Sequence, residues 1–163
     1  QTLDDLNDVR LELESAEYVK AKLTKQNKKN KKEPEYKPLV LHYGDIELLV
    51  GKNNVQNDYV TTKMARNNDV WFHAKDIPGS HVIIRTESEP SDDALLYAAK
   101  LAAYYSKGRN HPALPVDYTK RKYVKKSANA AAGMVTYTHF QTAIIGLTAE
   151  DQAQIMKAAA KAE

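Results

Sequence analysis

Asp69–Ile84 reads DVWFHAKDIPGSHVII, and these sixteen residues hold the single tryptophan of the chain and two of its five histidines. From Asp69 to Lys75 the residues alternate, with Val70, Phe72 and Ala74 on one side and Trp71, His73 and Lys75 on the other. A period of two predicts a β-strand. His81-Val82-Ile83-Ile84 is short and mostly β-branched and predicts a second strand. Between them, Ile77-Pro78-Gly79-Ser80 places Pro and Gly where a type II turn takes a fixed φ and then a positive one. Two-residue hairpins prefer other turn types, which leaves room for Pro78-Gly79 in a longer loop. One face of this unit is expected in the core. The other carries Asp69, Trp71, His73 and Lys75 and admits two readings: a recognition surface, or a core anchor with a hydrogen-bonded histidine beside it.

The flanking chain supplies partners for this hairpin. Leu39-Val40-Leu41-His42-Tyr43 and Ile46-Glu47-Leu48-Leu49-Val50 flank Gly44-Asp45, which predicts another hairpin. Asn53-Asn54 open a short helix over 55–65, although Val60-Thr61-Thr62 is a β-branched run that resists helix. Ser91 to Ser106 is a strong helical signal: Ser91 as cap, Asp92 and Asp93 in the first turn, Lys107-Gly108 as stop. Leu95, Ala98, Ala99, Ala102 and Tyr105 form its inward stripe. Strands are expected at 116–126, 134–140 and 142–146. The expected fold is α+β, a mixed or antiparallel sheet packed against helices, occupying about residues 36–147.

The ends differ in character. Residues 1–28 lack Gly and Pro and place Leu6, Val9, Leu13, Ala16 and Leu23 on heptad a and d positions, with Lys20 at the missing a. Such a helix needs a partner for its stripe. Residues 20–32 hold seven lysines and no acid, read first as a solvated linker and otherwise as a patch for phosphate, so 1–32 is expected as a helix, in a coiled coil or docked on the domain, plus linker. Thr148 and Asp151 mark a helix start, and 148–163 is expected as an Ala-rich helix or mobile tail.

Composition limits the function. The 163 residues carry a net charge of +3 and no cysteine, so disulfides and thiolate metal sites are excluded. No apolar run reaches the roughly 20 residues that span a bilayer, and neither a secretory signal nor an anchoring tail is evident. The chain opens on Gln1, as expected of a fragment. His73 and His81, with Asp69 and Asp76 near, fall short of the three or four converging ligands zinc needs. Ser80 and His81 are adjacent on an extended segment and point apart, which defeats a nucleophile–base pair. With no Gly-rich phosphate loop either, the chain reads as non-enzymatic, without metal or cofactor. Its best basic cluster is Lys120, Arg121, Lys122, Lys125 and Lys126, interleaved with Tyr118 and Tyr123. On one continuous strand Lys120, Lys122 and Tyr118 would share a face. Cations beside rings suit phosphates and bases of unpaired RNA; lysines that keep an edge strand soluble would look the same.

Asp-x-Trp-Phe-His-x-Lys-Asp-x-Pro-Gly-Ser-His-Val resembles the signature of the NFACT-R domain, the C-terminal RNA-binding module of proteins called RqcH in bacteria and NEMF in animals. Streptococcal members are also known as fibronectin-binding proteins of the FbpA/PavA type. Similarity continues through Gly51-Lys52-Asn53-Asn54, Asn57-Asp58-Tyr59-Val60, Ala98 to Ser106, Val116-Asp117-Tyr118-Thr119, Tyr123-Val124-Lys125-Lys126 and Gly133-Met134-Val135, about Leu39 to Ile145 in all. Ser127 to Ala132 departs from the family pattern, which has prolines, a glycine and often a lysine there. The resemblance implies that residues 1–32 are the foot of a coiled-coil arm. It implies a cytoplasmic module of a ribosome quality control factor that binds stalled large ribosomal subunits and tRNA and supports alanine tailing of nascent chains. Residues that select the tRNA would lie in upstream domains. It favours RNA contacts by Trp71 through stacking or shaping, by His73 and His81 to phosphate or base, and by Lys120, Arg121, Lys122, Lys125 and Lys126 to phosphate. The alternative it implies is a fibronectin-binding adhesin associated with the streptococcal surface.

Overall fold

The computed structural model describes residues 36–163; the expected arm helix and linker at 1–32 lie outside them. The fold is α+β. Strands β1 (Leu39–Tyr43) and β2 (Ile46–Val50) form the expected hairpin around Gly44-Asp45. Gly44 takes φ 58° in this two-residue turn, a conformation that costs glycine little. Asn53 caps α1 (Asn54–Tyr59), its side chain accepting from the Gln56 N–H at 2.8 Å. The helix then widens into a π turn at Val60–Met64, over the β-branched run that opposed regular helix. Strands β3 (Val70–Ala74) and β4 (Val82–Arg85) pair antiparallel as the central hairpin. Ser91 caps α2 (Asp92–Tyr104), and its hydroxyl accepts from the Ala94 N–H at 3.1 Å. Strands β5 (Leu114–Lys120), β6 (Val124–Lys125), β7 (Thr136–Tyr137) and β8 (Gln141–Ile145) follow, then α3 (Ala149–Ala162).

Six strands form one fully antiparallel sheet in the order β1-β2-β4-β3-β5-β8. Both faces are covered, each by its own core. On one side Phe72, Leu48, Ile84 and Val116 pack with Ala98, Leu101 and Ala102 of α2 and Ile155 of α3. Alanines on the inward stripe let α2 lie close to the strands. On the other side Leu49, Trp71 and Ile83 pack with Val60 of the π turn and Val124 of a small β6–β7 ribbon. Double coverage explains why Leu48-Leu49-Val50 is an unbroken apolar run: strands buried on both faces lose the alternation of half-exposed ones.

Three expectations need correction. The strand predicted over 116–126 stops at Lys120, where a 3₁₀ turn, Arg121–Tyr123, carries the chain off the main sheet into the ribbon. The strand predicted over 134–140 shrinks to Thr136–Tyr137. Pro78-Gly79 is no type II turn. Among the described glycines only Gly44 and Gly133 have positive φ. Gly79 instead forms an isolated bridge with Ser106, past the end of α2. A Cβ on Gly79 would meet the Ser106 Cβ at 2.9 Å, so close approach is what requires glycine.

Residues 148–163 form a packed element. The Thr148 hydroxyl accepts from the Asp151 N–H, and the Asp151 carboxylate accepts from the Thr148 N–H, both at 3.0 Å. Lys100 of α2 reaches Asp151 at 3.1 Å. Ile155, 2% exposed, joins the helix-side core. Replacing Ile155 with alanine is expected to remove about 2–5 kcal/mol of stability in urea unfolding. A free tail would leave the midpoint unchanged.

Candidate nucleic-acid interface

The ribbon side of the sheet holds the residues singled out by sequence. Trp71 is 1% exposed. Its ring stacks 5.8 Å from His73, meets His81 edge-on at 5.3 Å and lies 4.7 Å from Tyr137 of β7. The indole is therefore no platform for a base, and its part is to shape the fold. His81 is buried as well: Nδ1 shares a hydrogen bond of 2.8 Å with the Thr61 hydroxyl, and its N–H donates to Asn57 Oδ1 at 2.9 Å. Burial, and then the neighbouring His73, holds the His81 pKa well below 6.5. Burial also lowers His73, against the carbonyls of Gly79 and Ala74 and the carboxylates of Asp117 and Asp76. Both rings are neutral at physiological pH and supply no cation for phosphate. The imidazoles do meet, 5.3 Å apart and edge to face.

Buried carboxylates complete the network. Asp117, opposite His73 in the register, accepts hydrogen bonds from the Tyr137 and Thr142 hydroxyls, each at 2.6 Å. Burial, with the bond to Asp117, pushes the Tyr137 hydroxyl pKa up. Asp69 accepts from the N–H groups of Arg66 at 2.8 Å and Thr86 at 3.1 Å, which commits it to the backbone instead of a ligand.

The five predicted cations do not share a face. Lys120 lies opposite Val70, which points to the helix side, and Lys120 Nζ pairs with Glu89 at 3.0 Å. Arg121 folds inward and donates to the carbonyls of Thr61 and Val124. Lys126 pairs with Asp58 and donates to the Ala131 carbonyl. Lys122 and Lys125 remain exposed, on and beside the ribbon. The 3₁₀ turn is the cause, because it ends the alternation that would have aligned Lys120 with Lys122.

Beside these two lysines lies a corner of rings, with Tyr123 half-buried and His139 and Phe140 exposed. Tyr123 stacks on His139 with centroids 4.1 Å apart. Phe140 is 43% exposed and meets Tyr137 edge-on at 5.2 Å. Lys122 Nζ stands 5.3 Å from the Tyr123 ring centre and Lys75 Nζ 5.8 Å from that of Phe140. A lysine thus flanks the rings on either side, an arrangement suited to phosphates and bases.

Residues 40–139 match the family described as the NFACT protein RNA binding domain. The chain belongs to this family. It is 41% identical over 156 residues to the Rqc2 homolog RqcH of Bacillus subtilis (strain 168), a match covering 94% of this chain and 27% of that protein. The Rqc2 homolog RqcH of Streptococcus suis (strain 05ZYH33) is 40% identical over 156 residues, covering 96% of this chain and 28% of the relative. The chain thus spans little more than a quarter of these relatives' length. A solved structure titled as the C-terminal of the fibronectin/fibrinogen-binding protein from Streptococcus suis superimposes with a TM-score of 0.75 at 37% identity, covering 94% of this chain and 61% of that one.

Sequence reasoning overlooked His139 and Phe140 of this NFACT domain. The expected strand over 134–140 hid them, and only a left-handed turn at His139, φ 58°, releases both side chains to the surface. Residues other than glycine are uncommon in that region, and no neighbouring residue signals the turn.

The lowered histidines set a sign for pH. The unfolded state binds protons at the ordinary value of 6.5 and the fold does not, so stability is full above that pH and is lost as pH falls below it. Stability is expected to fall between about pH 7.5 and 5.5, more through His81 than through His73. Urea unfolding at those two pH values checks this. His81→Gln is expected to flatten the dependence while lowering stability at neutral pH.

Proposed function

We propose that this domain binds RNA through the ribbon side of its sheet, with Lys122 and Lys125 meeting phosphates. The match of residues 40–139 to an RNA-binding family carries this reading. Exposed cations next to exposed rings support it, because phosphate contacts supply most of the affinity for nucleic acid and do not depend on sequence. Half-buried His73 and buried His81, both neutral, pack against Trp71, and Trp71 packs beneath the ribbon. The kinship with RqcH proteins extends the proposal: the domain serves a cytoplasmic ribosome quality control factor, docking on stalled large ribosomal subunits and tRNA in support of alanine tailing. Tailing itself would depend on segments beyond this domain, and we assign the domain no catalysis of its own. A second reading, fibronectin binding, is favoured by the similar streptococcal structure.

Salt separates the two. Binding of tRNA should weaken steeply between about 50 and 200 mM salt. Lys122→Glu with Lys125→Glu should reduce the log–log slope by about 0.7 to 0.9 for each phosphate that the pair no longer neutralises. Fibronectin binding should not respond to this pair of substitutions. An unchanged slope in filter-binding titrations would remove the ribbon from the RNA face.

A further inference from the structure

The ring corner is built more rigidly than solubility requires. His139 is exposed and holds a left-handed backbone, φ 58°, a region uncommon for residues other than glycine, though His enters it more readily than most, as Asn and Asp do. Hydrogen bonds keep it there. The buried Thr119 hydroxyl donates to the Thr138 carbonyl at 2.9 Å, and the Thr138 N–H donates to the Tyr123 carbonyl at 3.1 Å. The Thr138 hydroxyl and His139 Nδ1 share a hydrogen bond of 2.9 Å. The result is an imidazole laid over Tyr123 at 4.1 Å and 22°, with Phe140 next in the chain and also open to solvent. Strain held by surrounding structure at an exposed position points to a binding role.

We infer that Tyr123, His139 and Phe140, flanked by Lys75 and Lys122, form a subsite for unpaired nucleotides, so that the domain takes single-stranded or looped RNA in preference to duplex. The inference rests on the RNA reading and narrows it. A paired base has both faces covered by its neighbours in the helix and offers these rings nothing to stack on. An unpaired base can be splayed onto them. The rings are fixed before binding, so little ordering entropy opposes the contact. Lys122 and Lys75 already stand near the rings at 5.3 and 5.8 Å. They can turn to the phosphates on either side of a stacked base. Stacking on a ring tolerates any base, so the preference is for strandedness and not for sequence.

The test is fluorescence anisotropy of the full chain with two labelled RNAs of equal phosphate number, an unpaired strand of about 12 nucleotides and a blunt duplex. The unchanged protein is expected to bind the unpaired strand more tightly. His139→Gly accepts the left-handed backbone without loss of fold, and Tyr123→Leu keeps an apolar contact while removing the ring. Each is expected to weaken binding to the unpaired strand roughly ten-fold and to leave the duplex unaffected. Tyr123→Phe should behave as the unchanged protein. Equal binding of the two RNAs, or equal weakening of both by the variants, overturns the subsite and leaves the RNA reading standing. Failure of the unchanged protein to bind either RNA overturns both.

Discussion

Trp71 and Phe72 are neighbours in the chain, point to opposite faces of one strand, and are both sealed from water. That double burial is the constraint on which the structure depends. Each ring removes about 150–250 Å² from water, an upper bound of about 4–6 kcal/mol apiece. Neither could be buried if β3 lay at an edge or if one face of the sheet were bare. The helices α2 and α3 answer Phe72; the π turn and the ribbon answer Trp71. The ribbon is too short to be stable alone. It is held where it is because Val124 and Tyr137 complete the pocket around the indole.

A sheet covered on both sides must find partners for the polar groups it buries, and this one does so with few side chains. Asn57 receives the His81 N–H and donates to the Gly79 carbonyl, tying the central loop to α1. Asp69 closes the entrance to β3, and Asp117 gathers hydroxyls from β7 and β8. Among the described residues, Trp71 Nε1 and Arg85 Nε are the buried side-chain atoms that find none. Desolvation decides the charge state of the histidines: His81 is buried, His73 half-buried, and loss of water outweighs the hydrogen bonds and carboxylates that favour the extra proton. Free charge is thereby kept to the rim, where Lys122, Lys125 and Lys75 remain hydrated.

Much of this was legible in the chain itself. The hairpins, the α2 cap and the Thr148–Asp151 capping box are local devices whose residues carry their own geometry. The same holds for α+β as the class, since the strand and helix periods are both strong. What local pattern cannot show is which face of a strand a second layer will cover. Trp71 therefore read as either surface or core, and a layer supplied about fifty residues downstream decided it. The lysine strand failed for a related reason. Nothing in Lys120-Arg121-Lys122 forbids continued alternation; the turn exists because Arg121 finds carbonyls of the π turn and of Val124 to satisfy.

Placing Trp71 inside does not remove it from recognition. Its ring supports Tyr137, and Tyr137 supports Phe140 edge-on while its hydroxyl is anchored on Asp117. From strand β5, beside β3 in the sheet, Thr119 pins the turn that sets His139 over Tyr123. The exposed rings are thus braced from the centre of the sheet along two paths, one through stacked aromatics and one through a hydroxyl. A surface loop with the same rings would have to order them on binding and lose affinity in doing so. Here the core has ordered them already, and the tryptophan that looked like a base-stacking residue serves as the floor beneath those that can stack.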